Sequence, residues 1–294
     1  MPRFSLILPC IQPTPAFEDT LASLLRTRPR SAEVIVVHDG NYQDEYGLEG
    51  EVGYAVANKK RLVAYWNAGL EASGGEFIVW IRPGVQLDDG WEADCLREFE
   101  NPRVGCVGPR LNVEGSGANQ AVFGVATTRT GTRQLKTENK GQLLGPSSWV
   151  AAYRQSALGW LDALDLVWED EYLDAFLGLA LGRLGYEYRV APDWEAVIDG
   201  PAATEVFAKR PHGLSATRAA VRFGGPLVAG IGASLQEDLA SFFSQSWRLR
   251  HFRGRFKASR FRSADLHAAQ QLAQHAARRE QILAQTASQT RRAA

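Results

Sequence analysis

Residues 33–40 read Glu33-Val34-Ile35-Val36-Val37-His38-Asp39-Gly40, four branched apolar side chains in a row followed by a histidine and an Asp-Gly pair. A β-branched run without polar alternation is the pattern of a strand covered on both faces, as in a parallel sheet. Asp-Gly is a turn signal, because glycine supplies positive φ and the carboxylate bonds nearby backbone N–H groups. The same grammar stands upstream at Phe4-Ser5-Leu6-Ile7-Leu8-Pro9, and Thr20 to Arg26 between them carries leucine and alanine at helical spacing. Residues 4–37 therefore make a βαβ unit. A helix over Leu62–Ala72 and a strand over Glu76–Ile81, stopped at Pro83-Gly84, continue the alternation. This order predicts an α/β fold, a mostly parallel sheet with helices on both faces.

Further on, Trp91 to Phe99 reads as helical, and the Gly- and Thr-rich stretch from Val104 to Gln142 as short strands and loops. Helical periodicity returns from Tyr172 to Leu184, with Gly185 as a stop signal. Residues 205–294 read as mostly helical, with segments around Ser234–Phe243 and from Ala264 to about Ala287. The expected organisation is a first domain over 1–204 and a basic helical extension over 205–294.

The chain has 294 residues, 45% hydrophobic and 22% charged, enough for one large core and a smaller appendage. Its formal net charge is zero, but residues 205–294 hold 15 Lys and Arg against 5 Asp and Glu, leaving 18 against 28 before them. Such asymmetry belongs to an anionic partner or to docking of the two parts on each other. Its focus is Trp247–Arg262, with seven cations, no acid and four aromatics. That composition suits an anionic membrane surface, a polyanion or the acidic first domain. No recognised nucleic-acid motif accompanies it, and no nucleic-acid partner is expected.

The three cysteines, Cys10, Cys95 and Cys106, form no CxxC pair and have no histidine at ligand spacing, which argues against a disulfide framework or a zinc site. The first apolar run is too short for a secretory signal, and no run reaches the ~18 apolar residues of a membrane span. A cytoplasmic location is expected, with 247–262 available for peripheral contact with the inner face of a membrane.

In open parallel sheets the ligand lies at the carboxyl ends of the strands. Here that rule points to Pro9–Gln12, His38–Asn41 and Arg82–Val85. Asp39 can accept hydrogen bonds from an imide or hydroxyl, and Gly40 permits close approach; a plain Asp-Gly turn is the competing reading.

In order and spacing these segments resemble the family 2 glycosyltransferases over most of residues 3–200. Phe4–Pro9 is similar to their first strand, Leu21-Ala22-Ser23-Leu24-Leu25 to their first helix, and Glu33–Asn41 to the strand and Asp-Asp-Gly-Ser turn that holds the nucleotide base. Asn67-Ala68-Gly69-Leu70 and Gly75–Ile81 resemble the helix and strand leading to the metal-binding DxD. Arg154–Asp162 looks like the acceptor-side segment, Trp168-Glu169-Asp170 like the Glu-Asp pair at the head of the acceptor-side helix, and Gly185-Tyr186 like the close of that block.

The resemblance implies a GT-A fold and a nucleotide-sugar donor contacted by Pro9, Asp39, Gly40 and Asn67, with Arg82 facing a phosphate. It also implies a glycan or lipid-linked acceptor, with Asp170, preceded by Glu169, as the general base. The competing reading of Glu169, Asp170 and Glu171 is a set of first-turn acids that complement a helix dipole.

The chain departs from the pattern where it matters for charge. Arg82, Pro83 and Gly84 stand where the family has DxD, so no metal is expected at Arg82–Val85. His38 replaces the first aspartate of the turn, Gln12 an asparagine, and Trp66 a basic residue. Asp88 and Asp89 read either as displaced metal ligands or as the cap of the helix at Trp91. Two functions stay open: a sugar transferase, metal-independent or with displaced ligands, and a catalytically inactive homologue that binds a glycan, a nucleotide or a protein.

Overall fold

The computed structural model describes residues 3–115, 120–128, 131–139, 141–161, 164, 168–198, 200–208, 213–223, 253–254 and 257–293. In chain order they form β1 (Phe4–Cys10), α1 (Pro15–Thr27), β2 (Ala32–His38), β3 (Val52–Val56), α2 (Leu62–Ala72), β4 (Phe77–Ile81) and β5 (Val85–Leu87). Then follow α3 (Trp91–Phe99), β6 (Val104–Val113), β7 (Gln120–Val122), β8 (Gly124–Thr127), β9 (Arg133–Lys136), β10 (Val150–Arg154) and α4 (Gln155–Leu158). The described chain continues with α5 (Leu173–Arg183), β11 (Glu187–Ile198), α6 (Gly200–Val206), α7 (Gly213–Arg222) and α8 (Arg262–Ala293).

The apolar runs become central strands because both of their faces are covered. Alternate residues feed two cores: Leu6, Leu8, Val34, Val36 and Val79 enter one with Phe17 and Leu21 of α1 and Trp91 of α3. Ile7, Ile35, Val37, Ile78 and Trp80 enter the other with α2 and α5. The nine-stranded sheet has the order β3-β2-β1-β4-β10-β6-β11-β5, with β7 paired to β6, and β8 and β9 form a separate hairpin sheet. Parallel pairing joins β3, β2, β1 and β4, and also β6 and β11, while β10, β5 and β7 run antiparallel to their neighbours. The sheet is thus mostly parallel, as expected.

Local chemistry sets the helix ends. Thr14 caps α1, its hydroxyl accepting the Phe17 N–H at 3.3 Å, and Pro15 stands at the first helical position. Gly185, at φ +77°, ends α5 as anticipated, with the Tyr186 N–H bonded to Leu181 O and the Gly185 N–H to Gly182 O. At α3 the cap differs from the expectation: Gly90, at φ +82°, occupies the N-cap without a side-chain bond, and Asp88 and Asp89 are exposed.

Val104–Val113 is a single ten-residue strand, longer than the short pieces expected there. Beyond residue 205, Ala216, Ala219 and Phe223 of the α7 segment and Leu272 of α8 pack into the second core. The helix expected around Ser234–Phe243 lies outside the described residues, as does most of 247–262. Cys10, Cys95 and Cys106 are free and buried, and burial pushes the Cys10 thiol up to about 11. No described helix is long and apolar enough to cross a membrane.

Candidate functional site

β2, β1 and β4 lie side by side and parallel, so His38, Cys10 and Ile81 end at one edge of the sheet. Asp39 follows β2 there. Its carboxylate meets Lys60 Nζ at 2.5 Å and accepts the Asn41 N–H at 3.1 Å. The Lys60 bond, then the Asn41 N–H, holds the Asp39 carboxyl down to about 2, so it is ionised at neutral pH. Gly40 is exposed beside it at φ +93°, its N–H donating to His38 Nδ1 at 3.0 Å. Pro9, expected to touch a donor, is instead buried inside β1 opposite Val37.

The chain neighbour of Lys60 reaches the other candidate. Arg61 Nη2 donates to Trp168 O at 2.6 Å and lies 3.5 Å from Asp170 Oδ1. The same Oδ1 accepts the Val63 N–H in the first turn of α2 at 3.4 Å. Asp170 therefore sits at the N-terminus of α2, with its side chain 30% exposed. Glu169 does the equivalent for another helix: its Oε2 accepts the Ser215 N–H of α7 at 2.9 Å, and its own N–H donates to Ser215 Oγ at 2.8 Å. Burial raises the Glu169 carboxyl above its ordinary range. Acids expected to complement the helix that follows them thus complement two distant ones.

Asn67 is engaged at both ends of its amide, donating to Leu164 O at 2.8 Å and accepting the Leu164 N–H at 2.9 Å. Those bonds tie α2 to the loop before Trp168. Trp66, where a basic residue was the comparison, is buried edge-on against Trp80 and Tyr153.

Arg82 follows β4 with its guanidinium 4.0 Å from the centroid of Trp149. It lines a cavity of about 520 Å³ with Gln12, Asp19, Gln86, Trp149 and Glu205 among the other walls. Asp39 is not among the residues lining this cavity, so the expected single cleft shared by Asp39 and Arg82 is not what this cavity provides. Gly84, at φ +96°, turns beneath α6, and a Cβ there would collide with the Ala202 methyl.

Three features escaped the sequence reading. Lys59, Lys60 and Arg61 stand together before α2, a signal that was visible as three consecutive cations. Tyr65, one turn along α2, is fully buried with its hydroxyl lacking a partner among the described residues. Asp174, in the first turn of α5, is buried and paired through both oxygens with Arg133 at 2.8 and 2.7 Å, and it also accepts the Ser148 N–H at 3.0 Å.

No protein-family model and no curated protein matches the chain. Solved structures match by shape. The crystal structure of GalNAc-T7 with UDP, GalNAc and Mn2+ is 13% identical with a TM-score of 0.61, over 74% of this chain and 47% of the other, so this chain spans about half that structure's length. The mannosyltransferase PcManGT from Pyrobaculum calidifontis, in complex with GDP-Man and Mn2+, is 16% identical with a TM-score of 0.50 over 98% of this chain and 80% of the other. Identities this low speak for the fold alone. That fold is the GT-A fold of glycosyltransferases, a curled and mostly parallel sheet between helices.

Proposed function

We propose that this chain is a glycosyltransferase that moves a sugar from a nucleoside-diphosphate donor to an acceptor hydroxyl on a glycan or a lipid-linked carrier. The observation that supports it is a linkage: Asp39 pairs with Lys60, and Asp170 with the adjacent Arg61. Consecutive Cα atoms are about 3.8 Å apart, so a donor-binding carboxylate and a proton-accepting one flank a single dipeptide.

In this reading an N–H or O–H of the nucleoside donates to Asp39, whose ionisation Lys60 secures. Asp170 offers Oδ2 to the acceptor while Arg61 and the Val63 N–H orient Oδ1. As the acceptor oxygen bonds to the anomeric carbon, its proton passes to Oδ2. The bond from that carbon to the phosphate oxygen breaks, and its electron pair leaves with the nucleoside diphosphate. Glu169 is a positioning residue, fixed on Ser215 immediately before the base.

The test is nucleoside-diphosphate release from a panel of UDP- and GDP-sugars, with glycan and lipid-linked acceptors. Asp170→Asn keeps an acceptor for α2 but takes no proton, and should lower turnover by ~10²- to 10⁴-fold with nucleotide affinity unchanged. Equal turnover by the variant would remove Asp170 from the mechanism. Nucleotide binding without any turnover would return the chain to the inactive-homologue reading.

A further inference from the structure

A diphosphate leaving group carries negative charge that some cation has to meet. The two solved structures above hold Mn2+. The end of β4 in this chain does not fit such an ion. Arg82-Pro83-Gly84 offers no carboxylate, the Ala202 methyl closes over Gly84, and no cluster of three or more His, Cys, Asp or Glu side chains among the described residues is placed to hold a metal. Arg82 is also a poor substitute. Its cavity sets one cation against the carboxylates of Asp19 and Glu205, a wall that disfavours a dianion.

The balance differs at the start of α2, where Lys60 pairs with Asp39 and Arg61 with Asp170, and Lys59 adds a third cation in sequence. There the N–H groups and dipole of an eleven-residue helix add positive potential. The Lys60 side chain is 65% exposed, and an ammonium has three donors, so its bond to Asp39 leaves others for a phosphate. A second observation points to the same place. The Tyr65 hydroxyl is fully buried without a partner among the described residues, close enough to Asp39 and Cys10 to feel their charges. Burial, then those charges, pushes this phenol up to about 12, so it stays an O–H donor at neutral pH.

Building on the donor reading, we infer that Lys60 and Arg61, at the N-terminus of α2, receive the donor's diphosphate in place of a metal ion. The arrangement runs from nucleoside at Asp39, through phosphates at Lys60 and Arg61, to the reacting carbon beside Asp170. Lys60 and Arg61 thereby supply the charge that stabilises the departing nucleoside diphosphate.

Calorimetric titration of the full chain with UDP, GDP, ADP and CDP, first in EDTA and then in Mn2+, tests this. At least one should bind in EDTA, with Mn2+ changing its Kd by less than about 3-fold. Lys60→Gln and Arg61→Gln should each weaken that diphosphate by ~10-fold, the scale of one charge-assisted bond, and weaken the matching nucleoside by less than about 3-fold. Arg82→Gln should leave the diphosphate within about 3-fold, since its cavity disfavours a dianion. Binding that requires Mn2+, or that ignores both substitutions, overturns the inference and leaves the donor reading standing. Failure of all four nucleotides to bind overturns both.

Discussion

Asp174→Asn is expected to be among the costliest single changes in this chain. The carboxylate accepts from Arg133 Nε and Nη2, from the Ser148 N–H and from the Ala175 N–H. All four partners are donors, so an amide nitrogen on either side faces a donor and the Arg133 guanidinium loses its two-oxygen carboxylate partner. Side-chain exposure is 15% for Arg133 and 0% for Asp174, which places the pair among buried ion pairs, where removing one partner costs about 3–5 kcal/mol. An exposed pair would contribute about 0–1 kcal/mol. Urea unfolding of the full chain distinguishes these ranges. Adding Arg133→Met should recover part of the loss, because the buried cation that faced the lost carboxylate is then gone. A loss below about 1 kcal/mol, or a double variant worse than the single one, would refute the argument that burial governs this pair.

Glu169→Gln should leave stability unchanged or raise it at neutral pH, since an amide oxygen still accepts the Ser215 N–H. Burial raises the carboxyl above its ordinary value of 4.5, so the wild-type side chain contributes most at pH below 4.5 and less as pH rises through its folded value. The advantage of the variant should therefore grow from pH 4 to pH 7 in unfolding titrations, and a constant difference would contradict this. Glu169→Ala, which strands the Ser215 N–H, should cost about 1–3 kcal/mol. Gly69→Ala places a Cβ 2.5 Å from Ile7 Cγ2 where α2 presses on β1. The crowding should outweigh the ~1 kcal/mol gain in helix propensity for a net loss of about 1–2 kcal/mol; a stabilised variant would show that α2 can shift.

β1, β2 and β4 were legible because central strands need apolar side chains on both faces, so their runs are continuous. β3 was not, being a five-residue strand interrupted by Gly53 and partly exposed. β11 hides behind Pro192 and Asp193, an imino acid without an N–H and a carboxylate, which the strand accommodates with a register shift between Val190 and Glu195. In the site, Asp39 was readable because a strand-ending carboxylate is a local signal. The partners of Asp170 were not, since Val63 stands 107 residues away in sequence. Asp174 looks like any first-turn acid until Arg133, 41 residues upstream, is brought against it.

The paired carboxylates of Glu169 and Asp170 also impose an order on biosynthesis. Arg61 and Val63 have already been made when Asp170 is added, but Ser215 follows Glu169 by 46 residues. At about 5–20 residues per second, translation takes about 2–9 s to cover that interval. Throughout it Glu169 is without the helix that receives it, so the turn carrying the proposed base is set last, by a part of the chain that belongs to no strand of the sheet.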